Sequence, residues 1–145
     1  MISTEVIIEA SPSRVWAVLT DAVAYPRWNP FIRSMNGRLQ EGETISIEVA
    51  PAGRSSMRFR PSVLVVKPEK ELRWLGSLGI RGLFDGEHAF QLTQLAPRQT
   101  LFRQSERFSG LLVPLIMRGQ NAEAARKGFI AMNEALKERV ESAGL

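Results

Sequence analysis

The sequence predicts an α+β fold, an antiparallel sheet with helices on one face, and three observations carry that prediction. Over residues 111–143, apolar or small side chains recur at Leu115, Gly119, Ala122, Ala125, Phe129, Met132, Leu136, Val140 and Ala143. Steps of three or four place them on one stripe of a long helix, with Lys127, Lys137, Glu138 and Glu141 off it. Between Ile32 and Phe108 the chain reads as about six short apolar segments broken by turn residues. The links between those segments are short, which suits antiparallel hairpins.

The elements follow in order. Thr4, Val6, Ile8 and Ala10 alternate with Glu5, Ile7 and Glu9, giving a strand with one largely polar side. Ser11-Pro12 supplies an N-cap and a proline at the first helical position, so Val15, Trp16, Val18 and Leu19 form a short amphipathic helix ending near Asp21. Pro26 and Pro30 limit the next stretch to a loop and one helical turn, the second of two short helices. Strands are then expected around Ile45, Ile47 and Val49 before Pro51-Ala52-Gly53, at 59–66 before Lys67-Pro68-Glu69, at 72–78 before Gly79-Ile80-Arg81-Gly82, at 84–94 before Ala96-Pro97-Arg98, and at 100–108 before Ser109-Gly110.

The terminal helix, with Pro114 tolerated in its first turn, would hold about thirty residues and run roughly 45 Å. The first half of its stripe carries Gly and Ala and the second half Phe, Met and Leu. It therefore reads as packed firmly at its C-terminal end and standing over a hollow at its N-terminal end. A coiled-coil arm would need large residues at every core position of the heptad.

Composition bounds the chemistry. The 145 residues fit one domain, 1–145, and 44% apolar with 23% charged residues is ordinary for a globular chain. Without cysteine there is no disulfide, thiolate nucleophile or Cys-based zinc site, and the single histidine, His88, rules out a multi-histidine metal site. No metal or cofactor is expected. The opening MISTEVIIEA lacks a basic segment followed by an apolar run, and no apolar stretch approaches the ~20 residues of a membrane span, so a cytoplasmic location is expected. The net charge is 19 − 15 = +4, with arginines scattered rather than clustered, which reads as a solvated basic surface. The GxxG at 79–82 is flanked by strands where a KH loop needs helices, so nucleic acid is not an expected partner. No G-x-S-x-G elbow, Rossmann or Walker pattern is present.

Val15-Trp16, Leu19-Thr20-Asp21 and Tyr25-Pro26-Arg27-Trp28-Asn29-Pro30-Phe31 resemble the opening of the START-like helix-grip superfamily, SRPBCC, and within it the polyketide cyclase/dehydrase and lipid-transport group. Phe84-Asp85-Gly86-Glu87-His88-Ala89-Phe90 and Glu106-Arg107-Phe108-Ser109-Gly110-Leu111-Leu112 are similar to that group's late strands. The resemblance covers essentially the whole chain. It implies a curved antiparallel sheet wrapped around the long C-terminal helix, with a hydrophobic cavity between them. It also implies a function among ligand carriers, cyclases, dehydratases and binding modules, which the fold does not choose between.

Two strands carry the polar residues of interest. Phe84, Gly86, His88, Phe90 and Leu92 share one face, and Phe102, Gln104, Glu106 and Phe108 share one face of the next. Their aromatic content points both faces inward, and two inward faces of an antiparallel hairpin meet only if paired residue numbers have an even sum. A sum of 194 sets His88 opposite Glu106 and Phe90 opposite Gln104; a sum of 196 sets Phe90 opposite Glu106 with His88 on the diagonal. Either register brings His88 and Glu106 close. The pair then satisfies its own polarity, orients a polar group of a ligand, or moves protons as general acid and base. Trp28, Phe31 and Trp74 are expected at the mouth or wall, Trp16 in the core, Leu112, Leu115 and Ile116 on the lid side, and the 79–82 turn at the entrance.

The expected ligand-binding set is thus Trp28, Phe31, Trp74, Phe84, His88, Phe90, Phe102, Gln104, Glu106, Phe108, Leu112, Leu115 and Ile116, with His88 and Glu106 as candidate catalytic residues. The leading expectation is a domain that binds or transports a small hydrophobic molecule, lipid-, polyketide- or quinone-like. Its rivals are a cyclase- or dehydratase-like enzyme using His88 and Glu106, and a protein-interaction module with a vestigial cavity. The residues name neither the ligand nor the oligomeric state.

Overall fold

The computed structural model describes residues 1–142. Ile2–Ile8 forms β1, and Ser11 caps α1 (Pro12–Leu19), its hydroxyl accepting from the Arg14 backbone N–H at 3.4 Å. A 3-10 turn (Ala22–Ala24) and α2 (Tyr25–Trp28) follow. The Tyr25 hydroxyl donates to the Leu19 carbonyl at 2.5 Å and ties the two helices together. Burial pushes that phenol far above its ordinary pKa, with the Asp21 charge adding to the effect.

The strands are β2 (Ile32–Asn36), β3 (Ser46–Val49), β4 (Met57–Phe59), β5 (Ser62–Lys67), β6 (Glu71–Ser77), β7 (Asp85–Ala96) and β8 (Gln99–Ser109). The single strand expected at 59–66 is divided, because Pro61 has no N–H to give the ladder. All pairings are antiparallel: a five-stranded sheet in the order β1-β8-β7-β6-β5, and a three-stranded sheet β2-β3-β4. The sheets meet where Thr44 bridges Ser62, with the Ile45 N–H donating to the Pro61 carbonyl at 3.0 Å.

The C-terminal segment is not one helix from Leu111. Pro114 opens a single turn, α3 (Val113–Ile116), and α4 begins only at Gln120 and runs 23 residues to Ser142, about 35 Å. Between them Gly119 takes a left-handed backbone, φ +57°, and Asn121 Nδ2 donates to the Ile116 carbonyl at 2.7 Å. Leu115 and Gly119 therefore leave the stripe, and Ala143 lies outside the described residues. Among the described residues no helix is long and apolar enough to cross a membrane.

α4 packs across the five-stranded sheet. Phe129, Met132, Leu136 and Val140 are buried in a core shared with Ile8, Val15, Leu19, Phe90 and Phe102. Its C-terminal turns are clamped: Arg14 Nη2 donates to the Val140 carbonyl at 2.9 Å, Lys137 Nζ to the Ile7 carbonyl at 2.8 Å, and the Glu9 N–H to Glu141 Oε2 at 2.8 Å.

Candidate functional site

Strand register decides what the inner face of the sheet offers. Side chains on that face form rows across the strands, two residues apart along each. One row runs Leu72, Phe90, Gln104, Thr4 and is buried. The next runs Val63, Trp74, His88, Glu106, Ile2. The third runs Gly76, Gly86, Phe108, so over β6 and β7 the sheet there is bare backbone. His88 stands opposite Glu106, the register with a residue sum of 194.

Above the bare row a cavity of about 500 Å³ opens between the two sheets and the start of α4. Ile47, Val49, Met57 and Phe59 of the three-stranded sheet form one wall, and Trp74, Phe84, Phe108, His88 and Glu106 the other. Asn121, Ala124, Ala125 and Phe129 of α4 roof it; of the small residues on the expected stripe only Ala125 lies over the hollow, with Ala124 beside it, while Ala122 and Gly119 do not line it. Phe31 reaches into that roof because Gly128 has no Cβ; one built there would collide with the Phe31 ring. The ring meets Phe129 edge-on, centroids 5.3 Å apart.

At the inner wall, His88 is 4% exposed and bonded at both ring nitrogens. Nδ1 lies 2.7 Å from Glu106 Oε1 and Nε2 lies 2.9 Å from Gln104 Oε1. Trp74 stacks on the imidazole at 5.6 Å, and Phe129 meets it edge-on at 5.1 Å. The polar chain continues inward: Gln104 Nε2 donates to Asn133 Oδ1 at 2.8 Å and to the Phe129 carbonyl at 3.3 Å, and Asn133 Nδ2 donates to Thr4 Oγ1 at 2.8 Å. The buried amides and hydroxyl are thereby satisfied within the core. Glu106 Oε1 is taken by the imidazole, whereas Oε2 has no hydrogen-bond partner among the described residues and lies over Gly86, where a Cβ would collide with it.

Of the thirteen residues expected at a ligand site, Phe31, Trp74, Phe84, His88, Glu106, Phe108 and Ile116 line the cavity. Six do not. Phe90 and Phe102 belong to the packed core one row deeper or beyond, and Gln104 reaches the site only through His88. Trp28 is held edge-on to Tyr25 at 5.1 Å, away from the wall. Leu112 and Leu115 turn outward at 37% and 63% exposure, because α3 is a separate turn rather than the start of α4. The 79–82 turn contributes through its flanks, Leu78 and Phe84, and is closed by Asp85, which accepts from Ser77 Oγ at 2.7 Å and from the Gly82 N–H. Sequence reasoning missed the wall of β3 and β4, the glycine floor, and Asn133, a lone amide on an apolar helical stripe that was itself a readable signal.

A sequence profile of the family described as polyketide cyclase/dehydrase and lipid transport matches residues 1–141. No curated protein matches the chain significantly in sequence. Among solved structures, a START superfamily protein from Mycobacterium smegmatis superposes with a TM-score of 0.76 at 23% identity, covering 98% of this chain and 97% of that one. A hypothetical protein from Helicobacter pylori gives 0.75 at 19% identity over 96% and 86% of the two chains. Norcoclaurine synthase from Thalictrum flavum, in complex with dopamine and hydroxybenzaldehyde, gives 0.73 at 14% identity over 97% and 86%. At these identities the likeness is one of fold.

Proposed function

The chain belongs to the polyketide cyclase/dehydrase and lipid-transport family, and from that premise we propose that it binds a small hydrophobic molecule, lipid-, polyketide- or quinone-like, in the cavity between the sheets and α4. The observation that carries this reading is the hollow itself: about 500 Å³, walled mainly by apolar side chains, with the His88–Glu106 pair at its inner end and Arg54, Ser55, Ser77 and Asn121 also in its lining. That volume falls within the ~300–1,000 Å³ of small-molecule pockets. Apolar walls supply affinity in proportion to the area they take from water, and the His88–Glu106 pair supplies orientation. A vestigial cavity has less support, since the large side chains that would fill it are absent from the glycine floor and alanine roof.

The test is mass spectrometry of an organic extract of the purified protein, beside the Ala125→Leu variant, which fills the roof. A recurrent apolar compound in the first extract and its loss from the second is the expected result. A clean extract, together with no binding of apolar probes, sinks the reading.

The second reading, a cyclase- or dehydratase-like enzyme, has one observation in its favour: the 2.7 Å hydrogen bond between His88 and Glu106 faces the cavity, where a substrate's proton would be within reach. Turnover that survives Glu106→Gln unchanged would eliminate it.

A further inference from the structure

Resting on the ligand-binding reading above, we propose that the site selects a mostly apolar molecule carrying a hydroxyl-type hydrogen-bond donor, which Glu106 Oε2 receives, and that Gln104 is the positioning residue that fixes His88 behind it. Donor and acceptor roles are fixed from the core outward. The Phe129 carbonyl can only accept, so the Gln104 amide must present nitrogen to it, and that nitrogen also donates to Asn133 Oδ1. Asn133 Nδ2 donates to Thr4 Oγ1, whose proton goes to the Gln104 backbone carbonyl at 3.4 Å. Turning the Gln104 amide over would set oxygen against oxygen at Phe129.

Gln104 Oε1 therefore faces His88 Nε2 as an acceptor, and Nε2 must carry a proton. The 2.7 Å between Nδ1 and Glu106 Oε1 then holds one further proton, since two bare acceptors do not approach so closely in a buried site. Whether it sits on nitrogen or oxygen, the pair is neutral overall, and Glu106 Oε2 is an acceptor in both arrangements. Oε2 lies over Gly86, and Glu106 shares the cavity lining with Phe84, Phe108 and Trp74.

A ligand carboxylate would bring acceptor to acceptor there. An ether or ketone would bring no donor at all. A phenol or alcohol supplies the single donor required.

The experiment measures binding of 2-naphthol and 2-methoxynaphthalene, a pair differing chiefly in the donor, to the full chain and to three variants. The native protein should bind the naphthol about tenfold more tightly, the value of one good hydrogen bond. Glu106→Leu should bring the two together. Glu106→Gln should keep the preference, because a His88 fixed with its proton on Nε2 draws the new amide's nitrogen to Nδ1 and leaves its oxygen facing the ligand. Gln104→Glu, which still offers Nε2 an acceptor and does not touch the cavity wall, should also keep the preference. His88 is the only histidine, so its nitrogen NMR signals need no assignment, and Nε2 should appear protonated.

Equal binding of the two probes by the native protein, a preference for the ether in Glu106→Gln, or a bare Nε2 would each overturn the proposal while leaving the cavity reading intact. Failure of both probes to bind would overturn the two together.

Discussion

In its C-terminal half α4 lays Met132, Leu136 and Val140 against the sheet and α1, each with no exposed surface, and is clamped by Arg14, Lys137 and Glu141. In its N-terminal half the same helix presents Asn121, Ala124 and Ala125 to an open chamber. The two halves share a backbone geometry but not a task. What differs is the row of sheet beneath each: large side chains under one, Gly76 and Gly86 under the other. One half stabilises the fold, and the other leaves room that the fold does not need.

Substitutions along the helix test that division, and their expected effects on stability fall in order. Leu136→Ala, in the packed half, should cost about 2–5 kcal/mol in denaturant unfolding, the usual range for a buried leucine whose surroundings cannot close. At the boundary, Gly128→Ala sets two effects against each other. Alanine favours the helix by about 1 kcal/mol, but the added methyl strikes the Phe31 ring, and overpacking costs about 1–3 kcal/mol. A net loss is expected, and a gain would show that Phe31 swings aside freely.

Glu141→Gln weakens the clamp. The Glu141 carboxyl is held below its ordinary pKa by the Lys137 hydrogen bond first and the Glu9 N–H second. A carboxylate depressed in the folded state adds stability that is present above its ordinary pKa and is lost as pH falls through the lower folded value. The native protein should therefore lose its margin over the variant only on acidification below that range. For so exposed a group the margin at neutral pH should be no more than about 1 kcal/mol. Ala125→Leu, over the hollow, should leave stability within about 0.5 kcal/mol while abolishing binding of 2-naphthol. A loss as large as that of Leu136→Ala would show that the two halves are not distinct.

The site was legible in the sequence to the extent that period and parity reach. Aromatic residues at alternate positions pointed the faces of β7 and β8 inward, and antiparallel parity then left two registers, one of which the structure adopts. Period two reports the face of a strand but not the depth along it, so Phe90 and Phe102 looked equivalent to His88 although they lie in the packed rows. Helical period has a similar blindness. Three- and four-residue steps continue through Leu115 and Gly119, and nothing in the spacing shows that Gly119 leaves the right-handed region. Gln104 was visible as an inward polar residue, but its partner Asn133 arrives from another element 29 residues away, and that docking is a tertiary fact. The wall of β3 and β4 escaped for the same reason: alternation identified strands there without saying that they fold over the mouth.

The two glycines of the floor differ in what a methyl group would meet. At Gly76 it would find only Pro61 at 3.6 Å, an ordinary contact, whereas at Gly86 it would run into the Glu106 carboxylate. Drift in a lineage of such proteins therefore has one mild route to a smaller guest, through the first position. Change at the second would rewrite what the guest must say to be admitted.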